Sequence, residues 1–309
     1  MNATTALSGS AGSSLQWRRI RKQLPNYLFI LPHMLLFVAF LAYPIVSGLR
    51  ISLYDWKIML PANEQSYQGL NNFSALFKDD LWWKVMNNTV RFTIMTMILN
   101  IAFPLSVAVA LKQTFKGRDV FRTLFFAGSV LSVSAMAIIA ARIWDPLRGM
   151  LNALLVDVLN LPRIQWLGSV ETVLPALSIT TVWWTFGFPM LAFLTALQNI
   201  PETLYEAGKI DGASGWHTFW SITLPLITPT LLFVVSTQFI GQMQMFGQAY
   251  ILTAGGPGNE SKTVLIYLYE TAWKFFRIGY ASTMAVALAV VMIIVTRLWF
   301  FLFRQRYEY

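Results

Sequence analysis

The chain has 309 residues, of which 56% are hydrophobic and 15% aromatic but only 12% charged, against about 25% charged in an ordinary soluble domain. That composition excludes a water-soluble domain of this length. The absence of cysteine excludes disulfides, thiolate metal sites and cysteine nucleophiles. The net charge of +9 sits in clusters beside apolar runs, a topology signal rather than a nucleic-acid-binding surface.

In chain order, residues 1–16 are rich in Ser, Ala, Gly and Thr and read as the start of a disordered tail, 1–26. The tail carries a basic cluster, Arg18, Arg19, Arg21 and Lys22. The first apolar span follows at about 28–50, "LFILPHMLLFVAFLAYPIVSGL". It is longer than a signal-peptide core, has no small-residue cleavage site after it, and reads as a retained anchor. Five further runs, at about 87–111, 121–143, 173–197, 226–252 and 279–303, each reach the roughly 20 apolar residues that a bilayer requires. The membrane domain therefore covers 27–303, and 304–309 form a short carboxyl-terminal tail. Prolines at 32, 44, 104, 175, 189 and 229 predict kinked helices.

Lys112, Lys116, Arg118 and Arg122 lie between the second and third spans, and Arg304 and Arg306 follow the sixth. The loop after the first span mixes signs: Asp55, Lys57, Glu64, Lys78, Asp79, Asp80 and Lys84. The positive-inside bias thus places both termini in the cytoplasm. The external loops, about 55–86, 144–172 and 253–278, hold turn signals such as "DPLRG" and "GGPGN", suited to short surface helices or plain connectors.

In span four, Thr181, Trp184, Thr185 and Phe188 recur at i, i+3, i+4 and i+7 and share one helical face. In span five, Gln238, Gln242 and Met245 do the same, with Gln244 and Gln248 on a neighbouring stripe. Unpartnered amides are costly in lipid, so four glutamines this close predict a face turned toward protein or a water-filled path. Amides, hydroxyls and aromatic rings suit a sugar, and the same groups also glue helices together. Asn100, central in span two, is a further candidate.

Between these spans lies the longest internal loop, 198–225, and the one that breaks the positive bias, with Glu202, Glu206 and Asp211 against Lys209. Pro201 suits a helix start and Glu202 the positive end of its dipole. Asp211-Gly212 interrupts the helix, and a second piece from about Ser214 leads into span five. The product is a helix–elbow–helix on the membrane surface. Its small residues, Ala207, Gly208, Gly212 and Ala213, let another backbone approach. The residues alone leave two readings open, a cap on the bundle and a docking surface.

The stretch "EAGKIDGASGWHTFWSITLP", Glu206–Pro225, resembles the EAA loop of permease subunits of binding-protein-dependent ABC importers. Glu206-Ala207-Gly208, Gly212-Ala213 and Ile222-Thr223-Leu224-Pro225 fall at the family spacing, with Gly208 in place of a second alanine. "GLNNFSALFKDDLWWKVMNNTVRFT" and "YILTAGGPGNESKTVLIYLYETAWKFFRIGYASTMAVAL" resemble carbohydrate-importer permeases of the maltose and glycerol-phosphate type. The likeness covers about 27–303 and departs at "FFAGSV", 125–130, where relatives often carry proline.

The resemblance implies an all-α, polytopic transmembrane helical bundle of six spans in the inner membrane of a prokaryote. It implies that Glu206, Ala207, Gly208, Asp211, Gly212 and Ala213 form a coupling contact with a cytoplasmic ATPase dimer. It also implies a second homologous permease subunit, an extracytoplasmic solute-binding protein, a carbohydrate substrate and no cofactor. Equivalent faces of spans four and five line the sugar site in that family. Glycerol 3-phosphate is the alternative substrate, and an ion-coupled carrier working alone is the alternative mechanism. The chain has no phosphate-binding G-x-x-x-x-G-K-[ST] loop, and its span centres contain no acid, which disfavours a proton-coupled carrier. His33 and His217, the only histidines, are far apart and lack ligand spacing, so an enzyme is disfavoured as well.

Overall fold

The computed structural model describes residues 26–302. The basic cluster at 18–22, the tail at 304–309 and all but the last residue of the predicted amino-terminal tail lie outside the described residues. α1 (Asn26–Ile51) is one apolar helix with no buried residue along its length. A small hairpin, β1 (Tyr54–Asp55) paired with β2 (Ser66–Tyr67), and α2 (Asn71–Phe77) precede α3 (Asp80–Lys112). α4 (Arg118–Ala127) runs through a 3-10 turn to Val130, and α5 (Val133–Ile143) leaves it at 104°. After α6 (Met150–Ala153), α7 (Val173–Thr185) and α8 (Gly187–Gln198) meet at 51°. The surface helix α9 (Glu202–Ile210) turns into α10 (Gly215–Met243), followed by α11 (Gly247–Thr253), α12 (Val264–Tyr269) and α13 (Ile278–Leu302).

Among the described residues four helices, α1, α3, α10 and α13, are long and apolar enough to cross a membrane unbroken, and the number is six if each of the two bent pairs is one span. The expected third span is thus two helices nearly at right angles. The fifth ends at Met243, and α11 starts anew after the break at Gln244–Phe246.

Proline accounts for part of this bending. π-helical turns at Val38–Ala42 and Phe219–Thr223 stand two residues before Pro44 and Pro225. A proline ring crowds the carbonyl four residues earlier, and a wider turn moves that carbonyl aside. The 51° bend falls where Pro189 removes the helical bond to the Thr185 carbonyl, and the two sharp bends also lock into each other. A Cβ on Gly128 would stand 2.9 Å from the Trp183 carbonyl oxygen, and one on Gly187 would stand 2.6 Å from Ser129 Oγ and 2.9 Å from Phe126 Cα. Only glycine lets the backbones approach this closely. Gly187 N donates to Ser129 Oγ at 3.0 Å, and Ser132 caps α5 by accepting from Ala135 N at 3.2 Å.

α3 is the central post, packed against α7, α8 and α10. Its 33 residues make about 50 Å, more than the hydrocarbon core's ~30 Å, so both ends stand clear of it. Its inward stripe is polar, with Thr89, Thr93, Thr96 and Asn100 all at most 2% exposed, while Ile94, Ile98 and Phe103 face outward. In lipid apolar groups need no burial and polar groups need partners; Thr89 Oγ1 donates to Val85 O at 2.7 Å, whereas the Thr93 and Thr96 hydroxyls and Asn100 Oδ1 are buried without a hydrogen-bond partner among the described residues.

Candidate functional site

The elbow is built by local rules. Gly212 has φ +77, the left-handed conformation that closes a helix and favours glycine. Ala213 N donates back to Gly208 O at 2.9 Å and Asp211 N to Ala207 O at 3.0 Å. Ser214 Oγ accepts from His217 N at 3.3 Å and caps the base of α10. The six residues of the expected coupling contact fall into two groups. Glu206, Ala207, Asp211 and Gly212 are exposed. Gly208 is buried against α10, where a Cβ would lie 3.1 Å from Ile222 Cδ1, and Ala213 is half-buried. The Gly208 departure from the family pattern therefore serves packing within the elbow. Leu204, Ile210, Trp216 and Trp220 are also exposed, Ile210 to 86%.

Two contacts connect the elbow to the bundle. Tyr205 Oη lies 3.2 Å from Thr223 Oγ1 of α10, and Lys112 Nζ, at the end of α3, stands 3.7 Å above the Tyr205 ring. α9 is thereby tied to two long helices at once.

In the middle of the bundle, Asn100 gathers part of the predicted substrate face. Its Nδ2 donates to Thr185 Oγ1 at 2.7 Å and to Gln238 Oε1 at 2.9 Å. Gln242 Nε2 donates to the same Gln238 oxygen at 3.0 Å, and Gln248 Nε2 reaches Thr181 Oγ1 at 3.5 Å. Thr181, Gln238 and Gln242 are buried within the subunit; Asn100, Thr185 and Gln238 join α3, α7 and α10, and Thr181 joins α7 to α11. Trp184 donates to Leu131 O at 2.9 Å, toward the α4–α5 bend. Phe188 stands apart, half exposed and 6.2 Å from Phe233, and Met245 is buried below Thr263, whose Oγ1 donates to Met245 O at 2.8 Å. Asn100 is thus the node of the arrangement, although its central position was the only signal the sequence offered for it.

At the end of α3 remote from the elbow, the "LTAGGPGN" loop is held in irregular backbone, with positive φ at Ala254, Gly255, Gly258 and Asn259. Asn88 Nδ2 donates to Asn259 O at 2.8 Å and Lys262 O at 3.1 Å, Lys84 Nζ to Gly258 O at 2.9 Å, and Val264 N to Thr89 Oγ1 at 3.0 Å. Asp79 caps α3 and also accepts the hydroxyls of Tyr267 at 2.6 Å and Tyr280 at 2.8 Å. Burial raises the pKa of Asp79, but the Tyr267 and Tyr280 hydroxyls and the Trp82 and Leu81 amides outweigh it and hold the carboxyl below its ordinary range. The same balance holds for Glu270, where burial is outweighed by Lys262 and Lys274. None of these groups is arranged for bond-making chemistry, and the described residues contain no cluster of three metal-ligating side chains.

Residues 102–309 match the family described as the binding-protein-dependent transport system inner membrane component. The probable ABC transporter permease protein YesP of Bacillus subtilis is 34% identical over 92% of this chain and 92% of its own. The lactose transport system permease protein LacF of Rhizobium radiobacter is 31% identical over 91% of this chain and 94% of its own. Among solved structures, a subunit of a bacterial alginate ABC transporter, in complex with its alginate pentasaccharide-bound periplasmic protein, superposes with a TM-score of 0.79. That likeness covers 92% of this chain and 95% of the other at 22% identity, and so speaks to fold.

Proposed function

The chain belongs to the binding-protein-dependent transport system inner membrane component family, and from that premise we propose that it is one half of the membrane channel of an ATP-driven carbohydrate importer. Force enters at the elbow, where a separate cytoplasmic ATPase dimer engages the exposed Glu206, Ala207, Asp211 and Gly212. Both termini then lie in the cytoplasm, and a solute-binding protein delivers the sugar at the opposite end. The observation that carries this reading is the division of the elbow into an exposed acidic and small-residue face and a buried face locked to α10 and α3. Two large apolar side chains, Leu204 and Ile210, stand exposed on α9 beside that face. The second permease subunit is supported by α1, which has no buried residue in its own chain, and by an apolar groove of about 1270 Å³ between the end of α10, α12 and α13.

For the substrate we place the path along Thr181, Trp184, Thr185 and Phe188 with Gln238, Gln242 and Met245. The hydrogen-bond network occupies Asn100 Nδ2, Gln238 Oε1 and Gln242 Nε2 while the path is closed and leaves Asn100 Oδ1 without a partner among the described residues, and opening offers these groups to sugar hydroxyls. The lactose and alginate attached to the relatives' names agree with a carbohydrate, whose kind is left to its binding protein.

The elbow is tested at Gly212. No atom lies within 4 Å of a Cβ built there, so Gly212→Val acts only through the left-handed backbone, at about 1–2 kcal/mol. In vesicles carrying both permeases, the ATPase and the binding protein, ATP-driven sugar uptake is expected to fall about tenfold with insertion unchanged. Gly212→Asn, which tolerates that backbone, keeps most of it. Wild-type uptake by the Val variant defeats the reading.

A further inference from the structure

A cavity of about 290 Å³ opens in the inside corner of the elbow, where the ends of α3 and α8, the body of α9 and the base of α10 converge. Its polar lining is Lys112, Gln113, Tyr205, Lys209, Thr218 and Thr223, and no lining residue is acidic. Neither lysine is paired with a carboxylate among the described residues. The elbow's own acids, Glu202, Glu206 and Asp211, do not line it. Lys112 is held in place by the Tyr205 ring at 3.7 Å, and that tyrosine by Thr223 at 3.2 Å. The cavity thus offers two uncompensated cations, one of them fixed, beside the Gln113 amide and the mutually bonded Tyr205 and Thr223 hydroxyls, while the Thr218 hydroxyl donates to Ser214 O at 3.0 Å.

The geometry points to a binding site for a phosphate-bearing anion in this corner, one per chain. Ammonium groups at the rim supply the charge that a phosphate attracts, and the Gln113 amide and the one proton left over by the Tyr205–Thr223 pair supply further donors. The surroundings favour a lipid headgroup as its source. The apolar stretch of α10 begins at this level, and Trp216 packs on Phe219 and Trp220 at centroid distances of 6.4 and 5.6 Å. Trp216 is 73% and Trp220 50% exposed, as aromatic side chains are at the headgroup level of a membrane. Lys116 and Arg122, close in sequence to Lys112 and exposed, add to the attraction that anionic lipids feel for basic clusters. A headgroup seated here touches α3, α9 and α10 together, so its binding and the position of the elbow are linked whatever engages the outer face of α9.

The test uses the full chain purified in neutral detergent and native mass spectrometry, with three probes: phosphatidylglycerol, phosphatidylcholine and inorganic phosphate. One retained phosphatidylglycerol is expected where phosphatidylcholine is lost. Its occupancy should fall about tenfold in Lys112→Gln/Lys209→Gln and be restored in Lys112→Arg/Lys209→Arg. Lys116→Gln, outside the cavity, should retain it. Lys209→Gln alone keeps the test valid if loss of Lys112 disturbs folding, since Lys209 is exposed, and a partial loss is expected there. Lysine-dependent retention of inorganic phosphate without lipid selectivity upholds the site and assigns it a soluble ligand. Retention that ignores both lysines, or no retention of either probe, overturns the inference.

Discussion

Asp79 and Glu206 are both carboxylates at the extremities of the bundle, and their surroundings differ completely. Asp79 accepts two backbone N–H groups and two tyrosine hydroxyls, the latter from residues 188 and 201 positions away. Glu206 is exposed and forms no ion pair among the described residues. The contrast extends to the neighbourhoods. Around Asp79, the side chains of Lys84, Asn88 and Thr89 bind the backbone of a distant loop, and Lys262 and Lys274 both pair with Glu270. Around Glu206, order is mostly local and the acids face outward. One end of the molecule is closed by its own chemistry, whereas the other leaves its charge for something else to meet.

The sharpest way to break that contrast is to remove each carboxylate. Asp79→Ala deletes charge-assisted bonds worth about 3 kcal/mol together, and denaturation in detergent is expected to show a loss of that size. Glu206→Ala is expected to stay within about 0.5 kcal/mol, and equal effects would erase the distinction. Acid provides the second probe. Asp79 and Glu270 both have lowered folded pKa values, so each contributes stability that is present above its unfolded pKa, about 4, and is lost as pH falls through the folded value. Hydrogen exchange in α12 should therefore accelerate below about pH 4 while α9 changes little, and Asp79→Asn should flatten the profile. The smallest effect is expected at Gly208→Ala. Alanine gains about 1 kcal/mol of helix propensity, offset by the shift required of Ile222 Cδ1, the far end of a flexible side chain at 3.1 Å. A change in unfolding free energy under about 1 kcal/mol is expected, with sugar uptake retained.

The legibility of these features in the sequence follows the range of the forces that make them. The elbow was readable because each part is local: Pro201 and Glu202 start α9, Gly212 stops it and Ser214 starts α10. The spans were readable from apolar length alone. The 104° bend at 128–132 was not, because the run through it is apolar and contains no proline, and its cause is a backbone contact between Gly128 and Trp183. The pairing of Asn100 with Gln238 and the convergence of two tyrosines on Asp79 were hidden for the same reason: no local pattern states which distant residue completes a hydrogen bond. The glutamine stripe showed that polar groups would be gathered, and the fold determined that they first meet one another.

The bare surface of α1 has a consequence for biosynthesis. No residue of this helix is buried, and its contacts with α13 and β1 are made by its carboxyl-terminal part, Tyr43–Ile51. The helix can settle into the bilayer as soon as it leaves the ribosome, on its transfer free energy alone, ahead of everything encoded after it. The remaining helices must find each other to satisfy their threonines and amides, so this chain enters its membrane in two acts, an immediate one governed by solvation and a later one governed by matching.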